Sequence, residues 1–405
     1  MRIKPLFIPI AFLLICSVMV SCAKDEDPVA PATDMPLDEA YITDSTFYGS
    51  KHLKVYYFVY PSVDPYGEPI MLSGAITLGD EVSREAPANG MVLYNHPTIY
   101  RADQCPSRGE LSMQNMLAGS GLIAVSADYY GFGVTEHHHQ AYCLSAYNAR
   151  TCIDALLAAQ HLLHELGYTW NDPLFNIGYS QGGQTSMGVV RLVAEQYPDI
   201  HITYTFAGAG SYDLPETYRQ FVNSTIAGMP STVISVVLAY NEFMNLGASR
   251  EELFKEPVLS HIDDWILSKR YKRQEIDALV GSLSISDYLS PTLLDTTSSL
   301  SQRFFTALDR DNLCHGWTPR GDEHLMLFHG SQDITVPVAN TYNLYNFLTA
   351  SGVQDIDLQI HDISGTAASP AHESAALTFG LLAANKISDI LGIELWGMFK
   401  TGNAE

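Results

Sequence analysis

Phe175-Asn176-Ile177-Gly178-Tyr179-Ser180-Gln181-Gly182-Gly183 is the stretch from which the rest of the chain takes its place. A short apolar run opened by Pro173 meets Gly-x-Ser-x-Gly. A helical pattern then begins, with Val189, Val190, Leu192 and Val193 forming its apolar stripe. A tight strand-to-helix turn projects a serine hydroxyl above the end of a sheet, and glycines at 178 and 182 remove the Cβ atoms that would clash there. The five-residue pattern is common by chance, and it is the strand before and helix after that give it meaning. Ser180 is therefore the first catalytic candidate.

A serine hydroxyl is a poor nucleophile at neutral pH unless a histidine takes its proton and an acid orients that histidine. Both partners must lie downstream. His329-Gly330-Ser331-Gln332-Asp333-Ile334-Thr335-Val336-Pro337 leaves an apolar strand at 325–328 and puts Asp333 at the sheet edge, where an orienting acid belongs. A turn aspartate capping the helix at Pro337 is the plainer alternative. For the base there are 14 histidines, and position is the filter: the loop after the last strand. His372, in Ser369-Pro370-Ala371-His372-Glu373-Ser374, fits, with His361 at the preceding strand end as competitor. The order Ser180, Asp333, His372 is the one this elbow type uses. A tetrahedral intermediate also needs donors aimed at its oxyanion. The backbone N–H of Gln181 is one. The loop Asn95-His96-Pro97-Thr98 offers the other at Thr98, because Pro97 has no N–H, while His96 reads as a satisfied residue behind the site.

Around this centre the chain alternates. Residues 52–60 and 68–78 read as two antiparallel strands joined by a Pro-Asp-Gly turn. Strands at 91–94 and 122–126 follow, with room for a helix near 109–118, then a helix over 146–166, the elbow, and a strand at 202–207. Continuous apolar strands alternating with helices predict an α/β fold with a mostly parallel sheet covered on both faces. Residues 211–320 break the alternation with helical texture and read as a cap inserted between two strands, or as an independent domain. A strand at 325–328, a helix to about 350, a strand at 356–360 and a helix over 374–391 complete the α/β unit, which spans 45–210 and 321–399.

The chain has 405 residues, 46% of them hydrophobic, and a formal charge of −23, a surface that repels nucleic acid and anionic substrates. Arg2 and Lys4 precede an apolar run that ends at Met19-Val20-Ser21-Cys22. Residues 1–21 are similar to a bacterial lipoprotein signal with Cys22 as the lipidated residue; an ordinary cleaved signal or a retained anchor are the alternatives. Residues 22–44 form an acidic, then Pro-rich tether, whose acidic start resembles the tag by which Bacteroidetes-type bacteria export lipoproteins to the cell surface. The expected place is therefore the bacterial outer membrane, facing periplasm or exterior. Cys105, Cys143, Cys152 and Cys314 remain in the mature chain and allow two disulfides in three connectivities. Their spacing matches no zinc pattern, and no metal is expected. His137-His138-His139 invites a metal reading, but adjacent histidines cannot all face one ion, so a solvated loop is preferred.

Together these residues resemble the α/β-hydrolase superfamily over roughly 45–395. More narrowly, residues 60–74, the turn Asp128-Tyr129-Tyr130-Gly131-Phe132-Gly133, the elbow and the inserted cap look like secretory-lipase-type esterases and related bacterial lipoproteins. The resemblance implies hydrolysis of carboxylic esters through an acyl-serine without a cofactor, on small-molecule, lipid or glycan esters, with Asp128 holding its turn beside the site. Pro97 departs from the His-Gly-x usual in that loop. Other readings remain open: a glycan deacetylase or feruloyl-type esterase, a serine aminopeptidase of the prolyl-oligopeptidase type, whose propeller 45 residues cannot hold, or a silent binding protein on the same fold. In the cap, Val233, Ile234, Val237, Leu238, Tyr240, Phe243 and Met244 either line an acyl pocket or pack the cap's own core.

Overall fold

The computed structural model describes residues 35–48, 53–109, 117–366 and 370–393. The signal segment, Cys22, the tether as far as residue 34, and residues 110–116 of the helix expected near 109–118 lie outside the described residues. Within them runs a nine-stranded sheet. Its order is β1 (Tyr41–Tyr48), β2 (Leu53–Val63), β3 (Pro69–Leu78), β5 (Leu122–Ala127), β4 (Gly90–Asn95), β6 (Leu174–Tyr179), β7 (Tyr204–Gly208), β8 (His324–Gly330) and β9 (Asp355–His361). The pairings from β1 to β3 and from β3 to β5 are antiparallel, and from β5 to β9 all are parallel.

The parallel strands bury both faces because both faces are apolar. Met91 and Leu93 of β4 enter one core and Val92 and Tyr94 the opposite one; Leu325 and Leu327 of β8 split from Met326 and Phe328 in the same way. Helices α1 (Ser145–Glu165) and α2 (Gln181–Gln196) lie over one side. The C-terminal helix, α8 (Ala371–Leu391), covers the other through Ala375, Phe379, Ala383 and Ile387.

Two boundaries differ from expectation. Residues 22–44 read as tether in the sequence, yet β1 begins at Tyr41 and pairs with β2 from Tyr41↔Val59 onward. At its other end the insertion was expected to run to 320. Leu313 and Trp317, however, already pack with Leu325, Leu327, Leu344 and Leu348 of the sheet unit.

Between β7 and β8 the longer helices are α3 (Leu214–Ser224), α4 (Pro230–Phe243), α5 (Arg273–Val280) and α6 (Ser299–Arg310), joined by turns and shorter helical segments such as Arg250–Leu253, Val258–Ile262 and Pro291–Leu294; α7 (Ala339–Ala350) follows β8. Their starts are written in the sequence. Asp213 accepts Glu216 N (3.1 Å), Ser298 accepts Ser301 N (3.0 Å), and Pro230 opens α4, where its missing N–H costs nothing. The two chain segments that leave and re-enter the sheet unit run side by side, with Leu313 N donating to Tyr212 O (2.9 Å) and Asn312 Nδ2 to Asp213 Oδ1 (3.2 Å). Asp311 is buried at this neck. It accepts Ser145 N (2.5 Å), Ser145 Oγ (2.7 Å) and Ala146 N (3.0 Å) at the start of α1, and Tyr240 Oη (3.0 Å) from α4. One carboxylate thus caps a sheet-unit helix and anchors a cap helix.

Candidate active site

β6 ends at the middle of the sheet, and Ser180 follows it with φ 58° and ψ −122°. A residue with a side chain is held in this sparsely populated region only where its surroundings over-determine it. They do so here: Ser180 N donates to Gly208 O (2.8 Å), and Ser180 O accepts Gln184 N (3.0 Å). The glycines are required by contact. A Cβ on Gly178 would lie 2.1 Å from Gly182 O, and one on Gly182 2.1 Å from Asn95 O. Helix α2 can therefore press against the ends of β4 and β6 and present its first N–H groups beside Ser180.

The three sequence-predicted side chains meet. Ser180 Oγ is 2.7 Å from His372 Nε2, and His372 Nδ1 is 2.5 Å from Asp333 Oδ2. An ionised carboxylate can only accept, so Nδ1 carries the proton and Nε2 is free to accept from the serine hydroxyl. The other Asp333 oxygen accepts Thr335 N (2.8 Å) and Val336 N (2.9 Å). Burial would raise this carboxyl, but the imidazoles of His372 and His329 outweigh it and hold the acid well below the usual carboxylate range. The ionised form of Asp333 is therefore the favoured one.

His372 is the second residue of α8. Its carbonyl accepts the Tyr179 hydroxyl at 2.6 Å, so the residue before Ser180 also grips the backbone of the histidine. His361 is not brought to the serine: it bonds Gln359 Oε1 (3.1 Å) and lies against the Phe328 ring. His329, which sequence reasoning passed over, is fully buried, with Nδ1 2.7 Å from Thr341 Oγ1, Nε2 2.8 Å from Val336 O and Nε2 3.5 Å from Asp333 Oδ2. Its place four residues ahead of Asp333, at the end of the same strand, was the available signal.

The expected oxyanion donors are the backbone N–H groups of Gln181 and Thr98. Gln181 is the first residue of α2 and lines the cavity in front of Ser180. Thr98 is half-buried in the loop after β4, with Oγ1 2.8 Å from the hydroxyl of Tyr142, which lines the same cavity. His96 is a buried support. Its ring stacks on Tyr129 with centroids 3.9 Å apart, and its nitrogens lie 2.8 Å from Pro97 O and 3.1 Å from Asp128 O. Burial lowers its pKa, against the pull of those carbonyls. Asp128 accepts Ser73 Oγ (2.5 Å) and Ser107 N (2.7 Å), holding its turn as the sequence reading had it.

The cavity holds about 580 Å3 of unfilled space, part of it open to solvent, between Ser180 and the insertion. Val233, Val236 and Val237 of α4, with Tyr218, Phe221 and Phe304, form most of its apolar wall. Val233 and Val237 also belong to the large core that holds Ile234, Leu238 and Tyr240, while Phe243 and Met244 are packed at its edge. The allowance for two disulfides is corrected, since Cys105, Cys143, Cys152 and Cys314 are all free thiols. The histidine run is also drier than expected. His137 is exposed, but His138 leans on Tyr130 and His139 on Phe243, both half-buried.

The secretory lipase family model matches residues 108–380. No curated protein matches the chain. The rice cell wall degrading esterase LipA from Xanthomonas oryzae is similar in structure, with a TM-score of 0.70, 21% identity, and coverage of 87% of this chain and 96% of that one. Lipase A from Candida antarctica in its closed state is also similar, with a TM-score of 0.64, 13% identity, and coverage of 87% and 82%. At these identities the likeness is one of fold, the α/β-hydrolase fold.

Proposed function

Since the chain belongs to the secretory lipase family and is an ester hydrolase of the lipase and esterase type, we propose that it cleaves neutral carboxylic esters through an acyl-serine at Ser180. The observation that carries this reading is the unbroken relay Ser180, His372, Asp333, at 2.7 and 2.5 Å, opening on an apolar cavity. His372 Nε2 takes the hydroxyl proton as Oγ attacks the carbonyl carbon. The oxyanion forms against the backbone N–H groups of Gln181 and Thr98. His372 then gives the proton to the departing alcohol, and a water activated by the same nitrogen releases the acid. Asp333 fixes the tautomer throughout.

The wall formed by Val233, Val236, Val237, Tyr218, Phe221 and Phe304 supports an acyl site in the cap. Each methylene buried there adds roughly 0.8 kcal/mol, about fourfold in kcat/KM, until the pocket is full. Across p-nitrophenyl esters of two to sixteen carbons, a rise followed by a plateau is the expected result. A steady fall from acetate onward would remove the acyl pocket and favour the glycan-deacetylase reading.

We also place the protein on a membrane through acyl chains on Cys22, which follows a small-residue position at the end of the signal-like run. Among the described residues no helix is long and apolar enough to cross a membrane. Cys22→Ser is expected to move the protein from the membrane fraction to the soluble one with hydrolysis unchanged. Continued membrane association of that variant would mean a retained signal anchor.

A further inference from the structure

The segment that carries His372 is tied to the cap as well as to the sheet. Arg273, the first residue of α5, donates through Nη2 to Glu373 Oε1 and through Nη1 to Asp277 Oδ2 (2.5 Å). Gln274 Nε2 adds a 3.3 Å bond to the same Glu373 oxygen. Asp277 accepts Ser231 N (2.9 Å) at the start of α4, the helix whose Val233, Val236 and Val237 wall the cavity. A chain of polar contacts therefore runs from the substrate wall to the residue beside the proposed base. Side-chain exposures of 12% for Arg273 and 29% for Glu373 set the pair apart from solvated surface pairs, whose worth is near zero.

We infer that Arg273 and Glu373 are positioning residues, whose ion pair sets His372 in register with Ser180 from the cap side. The inference rests on the reading of His372 as the base. Tyr179 holds the histidine backbone from the sheet side at 2.6 Å, and Glu373 holds the next residue from the cap side. The base is thus fixed between two units that also meet at the neck around Asp311 and Leu313. Proton transfer across the Ser180–His372 bond is sensitive to displacements smaller than an ångström. Seating of the cap and alignment of the base are therefore one event, not two.

The test uses the full-length protein with Arg273→Met, Glu373→Gln, both together, and Arg273→Lys. For each, kcat and KM on a p-nitrophenyl ester, the rate of fluorophosphonate labelling and the melting temperature are measured. Each neutral single variant is expected to lose about tenfold in kcat and in labelling rate, with KM within about twofold. The double variant should be no slower than the slower single, because both break one bridge, and Arg273→Lys should recover part of the rate. Unchanged kcat in the singles, losses that multiply in the double, or a loss confined to KM and melting temperature would each overturn the inference. Labelling of the wild type at Ser180 separates the two levels. With that label present, a failure concerns the bridge alone; without it, the assignment of the triad fails first.

Discussion

Ser180→Ala is expected to lower kcat by about 10⁴-fold or more and to abolish fluorophosphonate labelling, while the melting temperature stays within a few degrees of wild type. The activity loss follows from the site's composition. Ser180 Oγ is the hydroxyl that the His372 imidazole meets, at 2.7 Å, and the elbow presents it to the cavity. Without it the oxyanion donors and substrate binding remain, and they leave only a residual acceleration over water. The small effect on stability follows from what the substitution does not touch. The strained φ of 58° is imposed by the backbone bonds to Gly208 O and Gln184 N and by the fit of Gly178 and Gly182, all of which alanine retains. One half-buried hydrogen bond is lost, worth about 1 kcal/mol. Mass spectrometry of the labelled wild type should find the phosphonate on the peptide containing Ser180. A label on any other peptide, or one that persists in the alanine variant, would move the nucleophile elsewhere.

What was legible in the sequence was whatever depends on local pattern. The elbow announces itself because a strained turn restricts its residues to Gly-x-Ser-x-Gly between a strand and a helix, and the order of acid and base then follows from where strands end. β1 was not legible, because Tyr41, Asp44, Ser45 and Phe47 of this edge strand are all exposed, so no alternation of core and solvent faces marks it. Cysteine pairing was not legible either. Cys152 faces the core from α1, while Cys105 sits with Ile99 and Phe132 in a separate cluster, and nothing in their spacing encodes that distance. The contacts of His329 and Arg273 with the acid and the histidine segment bridge elements far apart in the sequence or lie on a strand end that reads as core. A stripe on α4 reads as apolar on every side, and only the fold decides that Val233 and Val237, core residues like Ile234 and Leu238, also border the cavity.

Asp333→Asn is expected to reduce kcat by about 10⁴-fold with KM little changed and the fold intact. The argument lies in how the two carboxylate oxygens are used. Oδ1 accepts Thr335 N and Val336 N at 2.8 and 2.9 Å, and Oδ2 accepts His372 Nδ1 at 2.5 Å. An asparagine must keep its oxygen toward the two backbone N–H groups, because turning the amide would set its NH2 against two buried donors, at a cost of roughly 1–3 kcal/mol for each unpaired group. The NH2 is then forced toward His372 Nδ1 and donates to it. That moves the imidazole proton to Nε2, where it points at Ser180 Oγ and cannot accept the hydroxyl proton. Geometry survives and chemistry does not. The pH dependence separates this from simple unfolding. Asp333 has a depressed pKa in the folded state, so its ionised form stabilises the fold fully above the unfolded carboxylate pKa of about 4, and that contribution fades as pH falls through the folded value. The wild type should therefore exceed the asparagine variant in stability at neutral pH, and the gap should narrow in acid, while the rate deficit persists wherever both are folded. Activity near wild type in Asp333→Asn would mean that another acid orients His372, and a gap that widens in acid would mean that Asp333 is not held ionised.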